Sequence, residues 1–198
     1  MLPVIAMINE TFEKDNFLLK LIAQEMNIPA EDILDFDLTL YEYGKGTLFG
    51  LNNEFISSGR LDDLAMVHAD LTALLDSKPC NKTKVLAIFD NEEVGSGTKQ
   101  GAASPILRTI LERVAFNQGY KIEELYRAIH NSFMISADMA HALHPNYPEK
   151  HDPTNHPIMN QGPVIKINAN QKYITDGDSA AVFATICKMA GVPYQTFV

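Results

Sequence analysis

No stretch of the 198-residue sequence approaches the roughly 20 consecutive apolar residues that span a bilayer, so nothing in it reads as a transmembrane helix and no membrane partner is expected. Positive charge is scarce as well. Sixteen Lys and Arg stand against 25 Asp and Glu, the formal net charge is -9, and no dense basic run occurs. Phosphate binding relies on clustered Lys and Arg, so a nucleic-acid partner is not expected. Cysteine is limited to Cys80 and Cys187, without CxxC or framework spacing, which reads as two unpaired thiols in a reducing cytoplasm. The apolar opening, residues 1–8, has neither a basic leading region nor a small-residue cleavage site and therefore does not read as a secretory signal. Internal repeats and low-complexity segments are missing too. So are several catalytic signatures: no H-E-x-x-H occurs, Ser96 is not in a G-x-S-x-G elbow, and residues 95–99 (GSGTK) lack the spacing of a phosphate loop.

What is present, 46% hydrophobic and 21% charged residues, is the composition of a folded globular chain. Apolar positions at helical spacing predict helices over 14–26, with Asp15 as its cap, and over 61–75, 103–116, 122–131 and 178–190. Asp178 near the start of the last of these suits the helix dipole, and Gly191 suits its end. Short apolar or alternating runs predict strands over 32–41, 84–89, 133–138, 164–168 and 194–198, with Lys166 facing away from Ile165 and Ile167. Strands alternating with helices give an α/β fold with a largely parallel or mixed sheet. The glycine-rich stretch 43–53 is the best candidate boundary. Residues 141–162 hold four of the six histidines with little periodicity, and they read as a long ordered loop, a kind that is usually functional.

Carboxylates mark the candidate chemistry. The run 84–89 ends in Asp90, Glu92 and Glu93 and then in glycines, and the run 133–138 ends in Asp138, so both place acid at the carboxyl end of a predicted buried strand. Asp62 opens a predicted helix. A solvated acidic turn is the plain alternative for residues 90–97. Divalent cations take oxygen ligands, and a two-metal site can use one carboxylate as bridge and another as base; adjacent Glu92 and Glu93 suit such a division of labour. His68, on the apolar stripe of its helix, reads as a core-edge residue, and Asp32, Asp35 and Asp37 read as the polar face of a strand.

At this point a resemblance enters. Residues 58–64 (SGRLDDL), 89–96 (FDNEEVGS), 136–147 (SADMAHALHPNY) and 162–166 (GPVIK) follow one another in the order found in the aspartyl aminopeptidase family of dinuclear zinc peptidases, which the chain resembles over nearly its whole length. The resemblance implies removal of an amino-terminal, typically acidic, residue from peptides. It implies that Asp62 bridges two zinc ions, that Glu93 holds one and Asp138 the other, and that Glu92 is the general base. The same resemblance places His141 and Lys166 near the substrate and makes the Asp62–Asp63 peptide bond cis. It also implies a three-layer α/β/α sandwich with a mixed, largely parallel sheet, present here incompletely. Residues 1–55 would be the C-terminal part of an inserted dimerisation domain, and 56–198 the central part of the catalytic domain. The family's metal-binding histidines, one upstream and one downstream, have no counterpart here. That pattern describes a fragment: a complete site would hold two zinc ions, and the fragment lacks a histidine for each. The expectation is a cytoplasmic, homo-oligomeric aminopeptidase chain, or else a catalytically silent homologue that oligomerises or binds peptide.

Overall fold

The computed structural model describes residues 4–7 and 15–198, so the reading of residues 1–8 and the first residue of the helix expected at 14–26 lie partly outside it. The chain divides into two compact units, Met1–Gly46 and Thr47–Val198, and the division falls within the glycine-rich stretch 43–53.

In the first unit, α1 (Phe17–Met26) half-buries Phe17, Leu18, Leu21 and Ile22 of the apolar stripe its spacing predicts and buries Ala23, whereas Met26, the last residue of that stripe, is exposed. Its cap is Asn16, in the left-handed conformation at φ 56°, where Asp15 was expected. Asn27, left-handed at φ 55°, ends the helix, and the Ile28 amide donates back to the Ala23 carbonyl at 3.0 Å. A 3-10 turn follows at Ala30–Asp32. The strand expected over 32–41 does not form: no ladder partner reaches it among the described residues, and Leu34, Leu38 and Leu40 are exposed. Alternation of apolar and polar residues supplies a face to bury, but a strand exists only where a neighbour accepts its backbone hydrogen bonds.

The second unit opens with an antiparallel hairpin, β1 (Thr47–Phe49) and β2 (Phe55–Ser57), in which Phe49 and Phe55 pair with ring centroids 5.1 Å apart. Then comes α2 (Leu61–Asp76), as predicted. A helical hairpin, α3 (Ile106–Asn117) and α4 (Ile122–His130), is closed by Gly119 at φ 86°. The two are tied by the Arg108 guanidinium, which donates to Glu112 at 2.8 Å and to the Tyr126 hydroxyl at 3.1 Å. The α/β character is clearest at the end of the chain. There β3 (Val164–Lys166) and β4 (Gln195–Phe197) pair in parallel, joined through α5 (Gly177–Ala190). Asp178 stands in the first turn of α5, as expected, and the cap is Asp176: its carboxylate accepts from the Ser179 amide at 2.8 Å, and the Ser179 hydroxyl accepts from the Asp176 amide at 2.9 Å. Gly191, at φ 67°, ends the helix as expected.

The α/β class therefore holds, with one parallel and one antiparallel pair among the described residues. The buried strands expected over 84–89 and 133–138 do not form, and Val85, Ile88, Phe133, Met134 and Ile135 are each at least half exposed. Both runs have the apolar content of a central strand, yet no strand pairs with either among the described residues. Ile165 on β3 and Cys187 on α5 are buried, Cys80 is exposed, and both thiols are free.

Candidate metal centre

The amino-terminal end of α2 carries the first two acids. Arg60, its cap, is left-handed at φ 60°, the Asp62–Asp63 peptide bond is cis as expected, and Asp62 departs from helical geometry at φ -86°, ψ 109°. The helix winds regularly only after this step. Negative side chains suit this end of a helix. The third acid, Asp138, comes from the segment after α4. Asp62, Asp63 and Asp138 each bring a carboxylate oxygen within 4.8 Å of the others.

Asp63 is the half-buried member of the group, and one of its oxygens, Oδ1, is buried with no hydrogen-bond partner among the described residues. Burial, reinforced by the charges of Asp138, Asp62, Asp70 and Glu92, holds the Asp63 carboxyl above the usual carboxylate range. Three converging carboxylates with an orphaned oxygen are the donor set of a divalent cation, and carboxylate oxygen is within the ligand range of zinc. The residues present therefore fit a metal.

Lys166 on β3 closes one side. Its ammonium donates to Asp138 Oδ2 at 2.6 Å and to the Met139 carbonyl at 2.8 Å, and it stands 5.6 Å from the centroid of the Tyr173 ring. Glu92 and Glu93 lie in a tight turn. The Gly95 amide donates to the Glu92 carbonyl at 2.7 Å and the Ser96 amide to the Asn91 carbonyl at 3.0 Å, with Asn91, Gly95 and Ser96 all left-handed. Gly101 fixes the far side of the turn, since a side chain there would collide with the Ser96 carbonyl.

Of the residues named from sequence, Asp62, Asp138 and Lys166 thus come together directly, and Glu92 is near enough for its charge to act on Asp63. Glu93 and His141 are exposed and are not members of the three-acid group found among the described residues. Asp63 is the member that sequence reasoning passed over, although its place beside Asp62 across the expected cis bond was a usable signal. His68 is exposed and lies outside the site.

The loop 141–162 is ordered by local contacts. The Leu143 amide donates to the Pro157 carbonyl at 2.8 Å, Asp152 caps its own turn through Thr154 and Asn155, and the Gln195 side chain ties the backbone of Ile158 to β4 through bonds of 2.7 and 3.0 Å.

The α/β unit thus presents clustered carboxylates, with a glycine-bounded acidic turn close enough for the Glu92 charge to act on Asp63, the donor chemistry of a divalent-cation site. The model of the Aminopeptidase I zinc metalloprotease (M18) family matches residues 5–198, and the chain belongs to that family. A probable M18 family aminopeptidase 2 of Clostridium acetobutylicum is 58% identical over 197 residues, covering 100% of this chain and 46% of that protein. Among solved structures, a chain of the Ape4 and Nbr1 complex superposes with a TM-score of 0.77 at 36% identity, covering 96% of this chain and 39% of that one. The mApe1 dodecamer of S. cerevisiae superposes with a TM-score of 0.72 at 28% identity, covering 91% of this chain and 42% of that one. The chain spans about half the length of the curated relatives it matches.

Proposed function

We propose that the chain contributes the central part of a zinc aminopeptidase that removes amino-terminal, preferentially acidic, residues from peptides. The observation that carries this reading is the convergence of Asp62, Asp63 and Asp138 beside Lys166 and within the electrostatic reach of Glu92. In this reading residues 56–198 form the middle of the catalytic domain, and residues 1–55 the end of an inserted dimerisation domain. Two zinc ions belong to a complete site. Asp62 would serve both, Asp138 would hold one and Glu93 the other, and Asp63 would support the group from the buried side. Zinc, when bound, supplies Lewis acidity toward the peptide carbonyl and makes water a competent nucleophile near neutral pH.

The chain's own residues do the rest. The Glu92 carboxylate takes the proton from the attacking water and delivers it to the departing amide nitrogen. Asn91 and Gly95 fold the turn that holds Glu92 in place. Lys166 and His141 face the first residue of the peptide, and an ammonium group suits an acidic side chain there. The cytoplasm is the compartment that two free thiols fit. A homo-oligomer is supported by the dodecameric relative and by the many exposed apolar side chains, among them Met189 and Ile174.

The test is hydrolysis of acidic and neutral aminoacyl substrates by a full-length protein carrying these residues, with zinc content measured on the same sample. Turnover that prefers acidic substrates and tracks zinc content supports the proposal. An inert full-length protein without zinc would favour the alternative of a catalytically silent homologue that binds peptide or oligomerises.

A further inference from the structure

Lys166 is engaged on both of its near partners at once. Its ammonium holds Asp138 Oδ2 at 2.6 Å and the Met139 carbonyl at 2.8 Å, with its side chain 19% exposed against 45% for Asp138. Asp138 is one of three carboxylates whose oxygens gather within 4.8 Å, and such a group repels itself unless a cation stands among or beside its members. Short charge-assisted bonds of this kind are the strong ones, and partial burial protects this pair from screening by salt.

Building on the zinc reading, we infer that Lys166 is the built-in counter-ion of the zinc-free site and competes with the metal for Asp138. A zinc ion that takes Asp138 Oδ2 displaces the ammonium. A zinc ion that takes the other oxygen shares one carboxylate with it and is repelled by it. Either way the lysine lowers zinc affinity, and zinc loading loosens the lysine. The loosened ammonium remains tethered on β3 near the Tyr173 ring, 5.6 Å away, where it can meet an anionic group of the substrate. Charge recognition of an acidic peptide is thereby coupled to metal loading, because the same ammonium cannot be fully engaged by Asp138 and by the substrate.

Zinc titration of the folded chain, followed by calorimetry, tests this. Lys166→Met keeps the length of the side chain and removes its charge, and Lys166→Arg keeps the charge. The expected result is zinc binding about tenfold tighter in Lys166→Met, equivalent to about 1.4 kcal/mol, with Lys166→Arg within about twofold of the parent chain. If Lys166→Met does not fold, Lys166→Gln takes its place with the same expectation. Equal or weaker zinc binding in the uncharged variant overturns the counter-ion role, since a lysine that merely orients Asp138 would strengthen binding by its presence. That outcome leaves the zinc reading intact. Absence of zinc binding in the parent and in every variant overturns the zinc reading and this inference with it.

Discussion

Asp63→Asn should stabilise the zinc-free chain at neutral pH. The substitution keeps the volume of the side chain and removes one of three mutually close charges. At the 4.8 Å limit of their separation, two like unit charges repel by about 3.5 kcal/mol at an effective dielectric of about 20, and by about 0.9 kcal/mol in bulk water. Asp62 and Asp138 are exposed, and Asp138 is already paired with Lys166, so the low end applies and the net gain is about 1 kcal/mol. For a chain of this size that is a rise in Tm of about 2–4 °C. The pH dependence follows from the raised Asp63 carboxyl. Between the ordinary aspartate value of 3.8 and the higher folded value the native state binds more protons than the unfolded state, so stability falls as pH rises through that window. The penalty is complete above the folded value, and there the variant gains most. Well below 3.8 both states carry the proton and the gain vanishes. Thermal unfolding of parent and variant in chelator, at neutral and at acid pH, measures this. A variant less stable than the parent at neutral pH, or a gain that persists unchanged in acid, would refute the reasoning.

Two further outcomes are expected. Gly162 sits at φ 84° just before β3, and a side chain there would run into the Pro193 carbonyl that leads into β4, so Gly162→Ala should cost about 2–4 kcal/mol in urea unfolding; a loss under about 0.5 kcal/mol would show that the β3–β4 approach is not tight. In zinc-loaded protein with measurable turnover, Glu92→Gln should cut kcat by roughly 10²- to 10⁴-fold with zinc retained, whereas Glu93→Gln should shed zinc; the reverse pattern would exchange the two roles.

The sequence was most readable where a segment carries its own partners. α2 and α5 each have a complete apolar stripe, and a helix satisfies its backbone internally, so their extents were within about two residues of the observed Leu61–Asp76 and Gly177–Ala190. β3 and β4 could be read because each is the other's neighbour. Residues 84–89 and 133–138 have equal apolar content, but content records only what a strand would bury, and pairing needs a second segment to receive it. Capping was the other weak point. Asp178 was readable as an acid in the first turn of α5, but the cap itself, Asp176, was not, although its spacing to Ser179 lets each side chain reach the other's amide. At the candidate metal centre, Asp62, Asp138 and Lys166 were found through their blocks of sequence. Asp63 was hidden because adjacent residues on a regular helix point apart, and the cis bond before it removes that regularity.

The central claim is that Asp62 and Asp138 share a zinc site. Crystals of the zinc-soaked chain measured on both sides of the zinc absorption edge test it most directly. The expected result is an anomalous peak about 2.0–2.2 Å from carboxylate oxygens of both residues, with Asp63 beside it. A peak elsewhere, such as among the histidines of the loop 141–162, or no peak at all, would contradict the account.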